Sequence, residues 1–165
     1  MSTITTIGLK IFRASTPEEM PCVRPTLMQY HAESRYSHIV FSEKKFEKNF
    51  IKAINNPANT LIVYVQHKGK TVGLLHAGIG DYYLGEGGIM VTVYGIYTSA
   101  DVRSSLLGGK VTLKLIRAVT DWAKANQANE LHIHSTSGIE PQSTGKFLNR
   151  LGFKTYGGNY VVRVG

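Results

Sequence analysis

Apolar residues recur along this chain at two different periods, and the change from one to the other marks out its elements. Thr60–His67 and Lys70–Gly80 are rich in β-branched residues and flank Lys68-Gly69, the pattern of an antiparallel hairpin. Ile89 to Tyr97 (Ile-Met-Val-Thr-Val-Tyr-Gly-Ile-Tyr) is a further run of this kind and predicts a buried strand. From Lys110 to Gln127 the period lengthens, and Val111, Leu115, Val119 and Trp122 share one helical face. Phe46, Phe50 and Ile54 mark a second amphipathic helix, opened by Ser42-Glu43-Lys44-Lys45 and closed by Asn55-Asn56-Pro57.

The remaining segments read more locally. Ile7 to Phe12 alternates as an edge or half-buried strand. Thr16-Pro17-Glu18-Glu19 is a capping box with proline at the first helical position. The helix it opens runs to about Glu33, and Pro21 and Pro25 leave two forms open, a kink or a restart near Pro21. Asp81 to Gly88 is a loop, and Thr98 to Gly109 a turn. Glu130 to Ser135 alternates as a strand with His132 and His134 on the same side. A polar loop follows, and a short helix from Pro141 or Gln142 carries Phe147, Leu148 and Leu151 to a stop at Gly152. Phe153–Tyr156 and Asn159–Val164 read as two final strands around Gly157-Gly158. The order predicts an α/β (α+β) fold: a mixed, mostly antiparallel sheet of about seven strands flanked by four helices, with one strand–helix–strand crossover. One domain over residues 1–165 is expected.

Composition narrows the setting. No run approaches the length of a membrane span, and Met1-Ser2-Thr3 opens no signal pattern, so no membrane partner is expected. Cys22 stands alone and has no disulfide partner, which makes a reducing cytoplasm the expected compartment. The net charge of +8 favours an anionic partner such as a nucleotide, a nucleic acid or an acidic polymer. The positive residues are scattered, and the stripe Lys110, Lys114, Arg117, Lys124 suits a solvated helix face better than a nucleic-acid surface.

The strand, glycine-containing turn and helix from Ile89 to Trp122 would aim free backbone N–H groups and a positive helix end at one spot, a place for phosphate oxygens. A nucleoside-triphosphate loop is excluded, because Gly109-Lys110 has Ser104 where the first glycine belongs and Val111 where Ser or Thr belongs. A dinucleotide fingerprint fails too, since only the adjacent pair Gly108-Gly109 is present.

A third reading rests on resemblance. Ile96-Tyr97-Thr98-Ser99-Ala100-Asp101-Val102-Arg103, then Trp122-Ala123 with the following strand, then Phe147 to Phe153 with Leu151-Gly152-Phe153, resemble the ordered motifs of the GNAT superfamily of N-acetyltransferases. Tyr30-His31-Ala32-Glu33-Ser34-Arg35-Tyr36, followed by Phe41, resembles small stand-alone members often coded by bacterial viruses. The resemblance implies transfer of an acetyl group from acetyl-CoA to a primary amine, with no metal. It implies that the fourth and fifth strands splay around the pantetheine arm and that the pyrophosphate rests on turn amides. Cofactor contacts would then come from Ile96, Tyr97, Thr98, Arg103, Leu107, Gly108, Gly109, Lys110, Val111, Thr112 and Ser135. His31 and Glu33 would act as base or as amine-orienting charge, with Tyr36 and His134 lining the acceptor side and Glu86 as a further candidate base. Many members pair, so a homodimer is an expectation.

Two departures qualify the resemblance. After Arg103 the sequence Ser104-Ser105-Leu106-Leu107-Gly108 has the wrong spacing for the family's turn, which leaves its amides open over Arg103 to Thr112. Leu148 stands where many members carry a tyrosine acid, so Ser143, Tyr97, Tyr94 or solvent would protonate the thiolate, or it would leave unassisted. The acceptor could be a small molecule, a protein or modified nucleic acid. The rival readings are a non-catalytic acyl-CoA-binding module and a basic nucleic-acid-binding protein.

Overall fold

The computed structural model describes residues 8–164. Its elements are β1 (Leu9–Arg13), a 3-10 turn (Pro17–Glu19), α1 (Met20–Glu33), α2 (Glu43–Asn55), β2 (Thr60–His67), β3 (Lys70–Asp81), β4 (Ile89–Thr98), α3 (Ala100–Arg103), α4 (Leu106–Ala125), β5 (Glu130–Ile133) and α5 (Pro141–Arg150). The strands form one sheet in the order β1-β2-β3-β4-β5. Neighbours are antiparallel from β1 to β4, and β4 and β5 are parallel, joined by the crossover through α4.

The α+β architecture with a mostly antiparallel sheet is as expected, but the count is five strands and five helices among the described residues, against seven and four. Ile7, the start of the first predicted strand, lies outside the described residues. The two strands expected at Phe153–Tyr156 and Asn159–Val164 do not form. Tyr156, Tyr160, Val162 and Val164 are all more than three-quarters exposed, at 87, 95, 80 and 95 %. Alternation and a glycine pair suggest a hairpin, but a lone hairpin with no apolar face to cover is marginal in water.

Local signals account for the helix ends. The Glu19 carboxylate accepts from the backbone N–H of Ser15 and Thr16, both at 2.7 Å. α1 then restarts at Met20 with Pro21 in its first turn, where a missing N–H costs nothing, so the restart form is the one adopted. Ser42 caps α2 by accepting from the N–H of Lys45. Gly152, at φ +91°, ends α5: its N–H reaches Asn149 O, and the N–H of Phe153 reaches Leu148 O.

The sheet is packed on both faces. α4 lays Val111, Leu115, Val119 and Trp122 over Val63, Val65, Leu75, Val91 and Val93. α1 and α2 cover the other face with Val23, Phe46 and Phe50 against Ile62, Tyr64, Leu74 and Tyr97. Gly73 is needed where α4 crosses β3, because a Cβ there would lie 2.4 Å from Val111 Cγ1. In the β3–β4 pairing, His76 faces Gly95 while Ala77 faces Val93, so Tyr94 is an extra residue. Such a bulge bends and twists its strand. β4 and β5 stay paired only from Met90–Glu130 to Val93–Ile133, and past that point β4 runs on without them.

Candidate active site

The parting of β4 and β5 opens a cavity of about 180 Å³. One wall is the end of β4 (Ile96, Tyr97, Thr98), and the opposite wall is the chain leaving β5 (Ile133, His134, Ser135). α4 contributes Gly109, Thr112 and Ile116, and α5 contributes Ser143, Phe147 and Leu148. Each β4 residue is held by the ladder to β3, in which Gly73, Leu74 and Leu75 oppose Thr98, Tyr97 and Ile96.

Three of the expected residues meet beside this cavity. The Tyr97 hydroxyl donates to Glu33 Oε1 at 2.5 Å, and Arg103 Nη2 donates to Glu33 Oε2 at 2.5 Å. Arg103 also donates through Nε to the carbonyl of Thr98 at 2.9 Å, lies 5.2 Å from the centre of the Tyr97 ring, and has Glu140 at 3.9 Å. The guanidinium that the resemblance places at the opening of the cofactor turn is thus tied to two carboxylates and a carbonyl. Burial, then the bond to Glu33, pushes the Tyr97 phenol well above its ordinary pKa, so it stays a neutral O–H group. Tyr30 packs on Tyr97 at 5.3 Å, and burial raises its pKa as well.

The start of α4 differs from expectation. The helix begins at Leu106, not Lys110, because Ser105 caps it: Ser105 Oγ accepts from the N–H of Gly108 at 3.3 Å and donates to Val102 O at 2.6 Å. Gly108 and Gly109, expected in the turn, therefore lie in the first helical turn. A Cβ on Gly108 would meet Val102 O at 2.2 Å and Arg103 Cα at 2.7 Å, so only glycine lets α3 pack there. The N–H groups of Leu106 and Leu107 have no carbonyl one turn behind them within the helix. Thr98 Oγ1 and Thr112 Oγ1 are 2.8 Å apart, and Thr112 also donates to Gly108 O at 3.0 Å. Lys110 is exposed, and Val111 is fully buried against the sheet.

His31 and Tyr36 belong to a different place. They line a second groove of about 320 Å³ between α1, α2 and the segment joining them. His31 Nε2 lies 2.6 Å from the carbonyl of Ile39, and its ring meets Phe41 edge-on at 5.6 Å. Tyr30 lines both this groove and the cavity. His134 is on the cavity wall, while His132 pairs with Glu130 at 2.6 Å. Glu86 is on the exposed β3–β4 loop, and Tyr94 packs edge-on against His76 at 5.1 Å. No three His, Cys, Asp or Glu side chains among the described residues group as metal ligands.

Tyr30, Ser137, Glu140 and Phe147 line the cavity without being among the expected site residues. For Tyr30 a signal existed, since it precedes Glu33 by one helical turn and must share its face. Glu140, at φ 41°, and Ser137 sit in the polar loop before α5, where no periodicity marks direction.

No protein-family model matches the chain, and no curated protein matches it in sequence. Solved structures match nearly its whole length. AAC(6')-Iy in complex with the bisubstrate analogue CoA-S-monomethyl-acetylneamine superimposes with a TM-score of 0.73 at 16 % identity, over 94 % of this chain and 97 % of that one. The ribosomal-protein-alanine N-acetyltransferase of Brucella melitensis biovar Abortus 2308 gives 0.66 at 16 %, over 96 % and 100 %. A transcriptional regulator from Bacillus halodurans C-125 gives 0.68 at 15 %, over 94 % and 99 %. What such identities carry is architecture, and this chain has the fold that these two acetyltransferases and the regulator share.

Proposed function

We propose that this protein is an N-acetyltransferase that moves an acetyl group from acetyl-CoA to a primary amine in a ternary complex. The observation that carries the reading is the cavity opened where β4 leaves β5, with the Tyr97 hydroxyl, already bonded to Glu33, on its wall. In this reading the pantetheine arm lies between the parted strands against Ile96, Tyr97 and Thr98. The diphosphate sits over the open N–H groups at the start of α4, where the helix dipole favours negative charge and bare Gly109 leaves room.

The amine nitrogen attacks the thioester carbonyl, the C–N bond forms and the C–S bond breaks. The ammonium proton passes to the Tyr97 oxygen while the Tyr97 proton moves to Glu33, a relay that needs no ionised phenol. Ser143, in the first turn of α5 and on the cavity wall, gives a proton to the departing thiolate and regains one from solvent. Arg103 holds the Glu33 carboxylate in place.

Leu148 on the cavity wall favours one alternative, a module that binds acyl-CoA without turning it over. Calorimetry with acetyl-CoA and thiol release with an amine panel separate the two. The enzyme reading expects heat on titration and thiol release that depends on amine. Tyr97→Phe, which keeps the ring beside the pantetheine arm, should lower kcat by roughly 10²-fold with a much smaller effect on acetyl-CoA affinity. Binding without turnover would leave the module, and no heat at all would remove both.

A further inference from the structure

The second groove, resting on the transfer reading above, says what kind of amine reaches the cavity. We infer that the acceptor is a primary monoamine on an uncharged aromatic or branched-aliphatic body, seated between α1 and α2, and not a polycation.

The argument begins with what lines the groove. Its walls are mostly apolar and aromatic, with Leu27, Tyr36 and Phe41 among them, and Ser34, Ser42 and Asn49 add uncharged polar groups. Its volume of about 320 Å³ accommodates a body of one or two rings. Ile39 and Val40 form the lip and are 54 and 90 % exposed, apolar surface that a bound body would cover. Aromatic walls gain most from a flat or branched apolar partner.

Charge then excludes the alternative class. Among the described residues no carboxylate lines the groove, whereas Lys45 does. Beside the cavity stands Glu33, whose charge is already matched by Arg103 at 2.5 Å. Glu140, the other acidic residue at the cavity, faces the same guanidinium at 3.9 Å. A polyamine or aminosugar entering here would shed water from several ammonium groups with no free counter-charge to replace it. A monoamine has only one such group to desolvate, and it enters as the free base that meets the Tyr97 oxygen.

The two sites are also joined mechanically. Tyr30 lines both, so groove and cavity adjoin at one ring, which itself packs on Tyr97 at 5.3 Å. The Arg35 N–H donates to Ser137 O at 2.8 Å, tying the α1–α2 segment to the loop that walls the cavity. Within that segment Ser37 N–H reaches Ser34 O, Ile39 N–H reaches Tyr36 O, and His31 holds the carbonyl of Ile39. The groove is therefore shaped before any acceptor arrives, which lowers the ordering cost of binding.

The test compares kcat/KM for phenethylamine and tryptamine with that for spermidine and kanamycin, at saturating acetyl-CoA. The aromatic monoamines should be favoured roughly tenfold or more. Phe41→Ala should raise KM for the monoamines with a smaller effect on spermidine, and Asn49→Asp, a carboxylate on the groove wall, should narrow the preference. Equal or better use of spermidine or kanamycin overturns the inference and leaves the transferase reading intact. If acetyl-CoA binds but nothing is acetylated, calorimetry of phenethylamine against spermidine on CoA-saturated protein decides by the same comparison. If acetyl-CoA does not bind, the transferase reading fails instead. The groove is then judged by whether the CoA-free protein binds phenethylamine and loses that binding on Phe41→Ala.

Discussion

His76 on β3 carries a titration consequence that its sequence position gives no hint of. Burial first and Lys52 second hold its pKa down to about 4, against an ordinary value of 6.5. The unfolded chain therefore takes up a proton at this residue before the folded protein does. Stability from the neutral ring is complete above pH 6.5 and is lost as pH falls from there toward 4. The loss amounts to at most about 3 kcal/mol. Urea midpoints measured across that window should decline, and His76→Gln should flatten the decline; an unchanged slope in the variant would assign the effect elsewhere. Asp101, lowered by its bond to Lys70, contributes in a lower window, because its stabilisation is lost only as pH falls below its ordinary 3.8. The same residue-level physics keeps Tyr97 a neutral donor to Glu33, which the proposed relay requires.

Among the elements, α4 forms one side of the cavity, and its first turn is where helix and packing constrain each other. Two adjacent glycines there have opposite surroundings. Gly108 is pressed against Val102 O and Arg103, whereas a Cβ on Gly109 would meet nothing within 4 Å. Gly108→Ala should cost about 1–3 kcal/mol and weaken acetyl-CoA binding, since backbone must move and the helix start moves with it. Gly109→Ala should leave stability equal or raise it by up to about 1 kcal/mol, as alanine favours a helix interior. Thermal midpoints of the two variants check this, and equal losses would mean that the turn packs differently. The hairpin of β2 and β3, the α2 stripe and the α4 stripe are all legible from spacing alone, because each period is a local property. The start of α4 is not legible in that way, because Gly108-Gly109 has turn propensity and the fit under α3 that makes Gly108 necessary depends on three dimensions.

At the scale of the molecule, charge governs approach more than fit. A net +8 spread over the surface attracts an anionic nucleotide from a distance, and salt screens that attraction. Stopped-flow association of acetyl-CoA should slow several-fold between ~50 and ~500 mM NaCl, while dissociation changes less. Equal slowing of both phases would place the charge effect in the bound state.

The sequence by itself determined the β2–β3 hairpin, β4 and the α2 and α4 stripes, the Ser42 cap of α2 and the Gly152 stop of α5, and that Leu148 has no proton to give. Tyr97, Thr98, Gly109, Thr112, His134, Ser135 and Ser143 are candidates by resemblance, and the fold brings them to the wall of one cavity. Only the tertiary structure decided that Glu33 and Arg103, 70 positions apart, are one ion pair, and that His31, two residues from Glu33, faces another groove. Only it decided that residues 153–164 add no strand. The reason is common to all three. Period and capping depend on neighbours along the chain, whereas an ion pair, a groove or a strand edge exists only once distant segments have been brought together by the core.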